Sequence, residues 1–215
     1  MADLTTYEGL KAAIADYLGR DDLAERIPHF IRLAELRMQR EVRTRVMERT
    51  AVTALPAGTA TVKLPNRRVE GDWKVFLEMR DLVWAAGNGL VSNLHFIPPD
   101  EYRLRARESG VPKLYTIIGE KLHVAPVPAA DGELRIAYYG EIEPLGPEQV
   151  NNPMLITAPD LYLYAALLES IPFTRASGAQ KTWQDFYNEA KGRLQANEER
   201  GRFTSNLSMR AVRRI

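Results

Sequence analysis

The spacing of apolar residues in this chain changes twice, and those changes restrict the fold more than anything else in the sequence. Up to about residue 46 the spacing is helical. Leu10, Ala13, Ile14 and Leu18 fall on one stripe, with Thr5 or Thr6 placed to cap it, Glu8 at the capping-box distance from Thr5, and Gly19 as a stop. A second helix is expected through ERIPHFIRLAELRMQREVR, with Pro28 in its first turn. Ile27, Phe30, Ile31, Ala34, Met38 and Val42 form its buried face, and Arg32, Glu35, Arg37, Arg40, Glu41 and Arg43 its wet face.

From about 47 to 150 the period shortens to two. Thr50, Val52 and Leu55, then Thr61 to Pro65, then Trp73 to Met79, alternate as strands do. Gly87-Asn88-Gly89 is a turn signal. Tyr115 to Ile118 and Lys121 to Val124, joined by Gly119-Glu120, predict a tight hairpin, and Leu134 to Tyr139 predicts a last strand. A short helix is expected to begin at Pro98-Pro99 and run to Leu104. Short strands, frequent turns and prolines point to a sandwich or barrel-like sheet.

Helical spacing returns at about 151. Thr157 is placed to cap Ala158 to Ser170, which is apolar nearly all round and therefore expected to be buried, with Pro172 following its end. Ser177-Gly178 opens a long helix to about Arg200, whose core face is Trp183, Phe186, Tyr187, Ala190 and Leu194. Two helices leave an apolar face uncovered, so neither flank suffices alone. The expected class is α+β: a helical bundle from 1–46 and 151–201, a β-rich insertion at 47–150, and a C-terminal arm at 202–215. A length of 215 residues suits one domain carrying such an insertion.

Composition excludes several functions. Lys+Arg is 29 and Asp+Glu 28, a net charge of +1 that argues against a protein whose task is to coat nucleic acid. The absence of cysteine excludes a disulfide framework, a thiolate metal site and a thiol nucleophile, and fits a reducing compartment. No signal peptide and no membrane span of about 20 apolar residues is expected. Gly87-Asn88-Gly89 lacks the lysine and the strand-to-helix setting of a phosphate loop, and no G-x-S-x-G elbow occurs. His29, His95 and His123 lie in separate segments, without helical metal-ligand spacing. Asp21-Asp22 stands at a helix start, where anions favour the macrodipole. Glu141 and Glu143 share one side of an extended segment and could stand about 5–10 Å apart, as the two carboxylates of a glycosidase do. A chain with 28 acids contains such pairs anyway, so a solvated strand end is the plainer reading.

Tyr162 and Tyr164 read as positions of an all-round packed helix, and Trp183, Phe186 and Tyr187 as core rather than a base-stacking platform. Arg43, Arg45, Arg49, Arg67 and Arg68 are interleaved with Glu41, Glu48 and Glu70, as on an ordinary surface or an interface of alternating charge. The end of the chain is different. Arg202, Arg210, Arg213 and Arg214 stand with Phe203, Leu207, Met209, Val212 and Ile215, and no acid is among them. Such an end could simply be a solubilising tail. It also suits a groove with acidic rims on a partner, or phosphates, where binding would be salt-sensitive.

The opening TYEGLKAAIADYLGRDDLAERIPHFIRLAELRMQRE, the hairpin PKLYTIIGEKLHVAPVP and the late segment ITAPDLYLYAALLESIPF, in that order, resemble the head-to-tail connector adaptor proteins of tailed bacteriophages. The resemblance spans almost the whole chain and rests on structural residues, not catalytic ones. It implies a virion protein at the head–tail interface, assembled in the host cytoplasm. It implies a ring of twelve copies beneath the portal protein, extending the channel through which genomic double-stranded DNA passes and offering a platform to the next tail or nozzle component. It implies no cofactor, metal or membrane, and an arm, Arg202 to Ile215, that reaches the portal. Arg32, Arg37, Arg40 and Arg43 on one face, and Lys181, Lys191 and Arg193 on another, are then candidate halves of the subunit interface. Two alternatives remain open: a peptidoglycan-degrading enzyme using Glu141 and Glu143, and a DNA-binding module acting through the arginine tail.

Overall fold

The computed structural model of the chain describes residues 3–69, 72–174 and 177–203. The elements begin with α1 (Tyr7–Leu18), α2 (Ile27–Glu41), β1 (Glu48–Leu55), β2 (Thr61–Lys63), β3 (Asn66–Val69) and β4 (Asp72–Ala86). Next come β5 (Val91–Asn93), β6 (His95–Phe96), α3 (Pro99–Arg105), β7 (Ser109–Gly110), β8 (Leu114–Ile118) and β9 (Lys121–Ala125). The chain continues with β10 (Val127–Pro128), β11 (Gly132–Gly140), α4 (Pro153–Thr157), α5 (Pro159–Thr174) and α6 (Ser177–Phe203). Two compact units result: Met1–Met47 with Ile142–Ile215, and Glu48–Glu141.

In the helical unit, the Thr6 hydroxyl accepts from the Gly9 N–H at 3.2 Å, which makes Thr6 and not Thr5 the cap of α1. Glu8 therefore pairs with Lys11 at 3.0 Å instead of closing a capping box. Gly19 ends α1 at φ 58°, a left-handed position that glycine adopts without strain. Leu10, Ile14, Phe30, Ile31, Ala34 and Met38 are buried where α1 and α2 pack on α5. α5 is buried on nearly every side and also packs on α6.

The entry to α5 differs from the expectation. Asn152, not Thr157, is the cap that matters: it accepts from the Leu155 N–H at 2.8 Å and starts the extra helix α4. The Thr157 hydroxyl instead donates back to the Pro153 carbonyl at 2.7 Å. Pro172 lies inside α5 rather than beyond it. It removes a single backbone donor in the final turns, where the Ser170 and Thr174 hydroxyls bond to the carbonyls of Leu167 and Ser170 at 2.7 and 3.2 Å. The segment from Ile142 on, expected in the insertion as far as about residue 150, groups with the helices. Gln39 donates to the Ile142 carbonyl at 3.3 Å, the Leu145 N–H to Glu35 at 2.8 Å, and the Tyr7 N–H to the Val150 carbonyl at 2.7 Å.

The β unit is a two-sheet sandwich. One sheet has the order β1-β11-β4-β3, with β5 also on β4; the other runs β2-β9-β8-β6, and β7 pairs with β10. Leu55, Leu82, Trp84, Leu134, Ile136 and Tyr138 from the first sheet meet Leu122 and Val124 from the second in one buried core. The β8–β9 hairpin turns at Gly119, φ 61°, with Ile118 opposite Lys121. β4 continues well past the expected Met79 to Ala86, carrying its polar middle through the bulged register with β11 near Ala137 and Tyr138. β3 lacks an alternating pattern because all four of its residues are exposed.

Candidate functional site

α6 carries the backbone of Arg202 and Phe203 in helix. The rest of the proposed arm, Leu207, Met209, Arg210, Val212, Arg213, Arg214 and Ile215, lies outside the described residues.

The basic candidates on α2 and α6 divide into two groups. Three are tied to neighbours within the subunit. Arg37 reaches Glu169 of α5 at 2.6 Å and Glu41 at 3.8 Å. Lys191 of α6 reaches Glu41 at 2.9 Å, and the Tyr187 hydroxyl donates to the same carboxylate at 3.1 Å. Arg43 donates to the carbonyls of Gln39 and Val42 at 2.6 and 2.8 Å, closing the C-terminal turn of α2. Burial alone would raise the Glu41 carboxyl, but Lys191 and Tyr187 outweigh it and hold the group below its ordinary value. Tyr187 is pushed well up by burial and by Glu41 beside it. The network Arg37–Glu41–Glu169–Tyr187–Lys191 thus clamps α2, α5 and α6 together.

The second group faces outward. Among the described residues Arg193 pairs along its own helix, with Glu189. Arg32 is exposed and bonds to Glu35 one turn along α2 at 2.9 Å. Arg40 and Lys181 are exposed and have no ion-pair partner among the described residues. These are the cations still available to another molecule.

Glu35, assigned to the wet face of α2, is fully buried. One oxygen accepts the Leu145 N–H at 2.8 Å and the other Arg32; the Tyr162 hydroxyl bonds to it as well. Tyr162 in turn accepts from Asn152 at 2.8 Å, and Asn152 donates to the Glu143 carbonyl at 2.8 Å. Burial pushes Glu35 up to about 7, with the Leu145 and Arg32 hydrogen bonds pulling against it. The i+4 spacing from Ile31 was the sequence signal that Glu35 faces inward, and its charge masked that signal.

Phe186, expected in the core, is 42% exposed; its ring packs on Tyr164 with centroids 5.0 Å apart. Trp183 and Tyr187 are buried, as is Tyr162.

The carboxylate pair does not form as expected. β11 ends at Gly140, so Glu141 and Glu143 do not share a strand. Glu141 belongs to the β unit, 4.0 Å from Arg68, and Glu143 to the helical unit. The His123 ring nitrogen bonds to the Thr61 hydroxyl at 3.0 Å, and burial lowers its pKa. Among the described residues no three His, Asp or Glu side chains gather to hold a metal, and no helix is long and apolar enough to cross a membrane.

A family model described as SU10 adaptor protein matches residues 5–213, taking in both units. The chain belongs to the SU10 adaptor protein family. No curated protein matches it. Membership gives it the role of a phage structural adaptor that interacts with other head and tail proteins.

Proposed function

We propose that this protein is the head-to-tail connector subunit that forms a ring, of twelve copies, beneath the portal. The ring extends the channel for double-stranded DNA, which passes without sequence-specific contact, and gives the next tail or nozzle component its platform. Arg202, Phe203, Leu207, Met209, Arg210, Val212, Arg213, Arg214 and Ile215 are the portal-binding arm. The observation that carries this reading is the extent of the family match, which continues through both units and into the arm as far as residue 213. The composition of the arm supports it: arginine forks and apolar side chains suit a groove edged with carboxylates. The near-neutral net charge fits a channel wall that lets DNA slide rather than gripping it.

Light scattering after size exclusion tests this. The full chain and a form truncated after Phe203, which leaves α6 intact, are each mixed with the portal ring of the same phage. The full chain is expected to co-elute as a large complex while the truncated form stays behind. A full chain that ignores the portal refutes the proposal.

A further inference from the structure

Two surfaces of the helical unit are left uncovered by the described residues. The first is aromatic. Tyr17 of α1 is 54% exposed and its hydroxyl bonds to Tyr164 of α5; Tyr164 packs on the exposed Phe186 of α6. Acids border this trio. Asp160 and Glu189 lie close enough to act electrostatically on Tyr164, and the exposed Asp16 and Asp185 adjoin Tyr17 and Phe186 in sequence. Glu189 is shared with Arg193.

The second surface is the outward stripe of α2. His29, Arg32, Leu33, Leu36 and Arg40 follow one another at helical spacing, and all are exposed or half-buried. Leu33 is 40% exposed, and the stripe contains no acid.

These surfaces lie on opposite sides of the bundle. The buried stripe of α2 packs on α5, so the outward stripe turns away from it. Tyr162 reaches α2 through Glu35, and Tyr164 is two residues further along α5, about 200° around the helix. The aromatic trio therefore faces away from α2. A closed ring with head-to-tail contacts needs this: two different, complementary patches on opposite faces of one subunit. Exposed aromatic residues with a polar border are also the usual anchors of an interface.

We infer that the bundle meets its neighbour through these two faces: the acid-edged patch of Tyr17, Tyr164 and Phe186 on one copy receives the stripe of Leu33, Leu36 and Arg40 on the next. The apolar residues meet at the centre, and Arg32 and Arg40 meet carboxylates at the edge. This inference rests on the ring reading. It changes the candidate interface, because Arg37, Arg43 and Lys191 then hold the subunit together and do not face its neighbour.

The chain has no cysteine, so introduced thiols report cleanly. The full-length variant carrying both Leu33→Cys and Phe186→Cys is added to the portal ring and treated with a short flexible bismaleimide. It is expected to give a ladder of dimers, trimers and higher species, and each single variant is expected to stay monomeric on a denaturing gel. If the double variant joins the portal without a ladder, or if Leu33→Cys alone dimerises, the pairing of faces is wrong and the ring reading stands. If the full chain does not join the portal at all, the ring reading fails and takes the pairing with it. An intramolecular crosslink between Phe186→Cys and Leu207→Cys in the free chain would place the arm on the aromatic patch and overturn the inference.

Discussion

Glu35 makes the stability of the helical unit depend on pH in a direction opposite to that of most carboxylates. In the fold its pKa is about 7, against an ordinary value of 4.5. Below pH 4.5 the carboxyl is neutral in both folded and unfolded chains, and no charge is buried. As pH rises from there to about 7, unfolding releases a proton that the folded chain retains, so each step of pH lowers stability. Above about 7 the carboxylate is ionised in the fold as well, and the loss is complete. The interval from 4.5 to about 7 corresponds to a loss of about 3 kcal/mol. The comparison that isolates this is Glu35→Gln. The amide keeps an acceptor for the Leu145 N–H and cannot titrate, although it presents donors to Arg32 and Tyr162. That mismatch shifts its whole stability curve by a constant and leaves the slope alone. Urea unfolding, followed by the far-ultraviolet helix signal, should therefore show the wild type losing about 3 kcal/mol relative to Glu35→Gln between pH 4.5 and pH 8. Carboxylates common to both chains cancel in the difference. Parallel curves would refute the account. A wild type that gains on the variant as pH rises would mean that Arg32 dominates and Glu35 is charged throughout.

Other substitutions probe separate parts of the argument. Asn152→Ala removes the cap of α4 and three hydrogen bonds at once, to Leu155, Tyr162 and Glu143, and should cost about 2–3 kcal/mol in urea unfolding. Gly132→Ala places a Cβ 2.6 Å from the Ala85 carbonyl and from the Trp84 indole nitrogen, so it should destabilise the β unit by about 1–3 kcal/mol, read from thermal unfolding by tryptophan fluorescence. Gly119→Ala meets nothing within 4 Å and should cost only the strain of its positive φ, about 1–2 kcal/mol in the same assay. Arg37→Glu sets like charges against Glu169 and Glu41 and should lower monomer stability, whereas Arg40→Glu should leave it within about 0.5 kcal/mol and impair assembly on the portal, read by light scattering.

Most of the architecture could be read from periodicity, because apolar spacing follows the geometry of each element. α1, α2, the β8–β9 hairpin and β11 fall where Leu10, Phe30, Gly119 and Ile136 place them. β3 is held by backbone pairing on exposed residues, which leaves no apolar pattern to read, whereas the extension of β4 does carry alternating core residues, Leu82, Trp84 and Ala86, beyond the exposed pair Arg80-Asp81 that interrupts the pattern. Glu35 and Phe186 exchanged their expected places because position on a helix outweighs residue type once a partner is available. The Leu145 N–H and Tyr162 satisfy a buried carboxylate, and Tyr164 supports an exposed ring. The order of strands in the sheets depends on contacts distant in sequence, such as β1 with β11, and no local pattern encodes them.

A net charge of +1 says little about this surface, because its charges are sorted by position. Where helices meet, acids and bases are spent on each other: Arg37 with Glu169, Lys191 with Glu41. Such pairs fix the packing of α2, α5 and α6, and in doing so they withdraw from any external contact. Arg40 on the outer stripe of α2 and Asp185 beside the aromatic trio are exposed and have no ion-pair partner among the described residues. Exposed pairs along a single helix, such as Arg193 with Glu189, contribute little to stability and can be redirected at small cost. In the proposed ring, this division lets one subunit hold its own fold and still meet a second copy. The charges paired across the helices, Arg37 with Glu169 and Lys191 with Glu41, serve the fold, and exposed Arg40 and Asp185 are the ones that the proposed pairing of faces uses to select a neighbour.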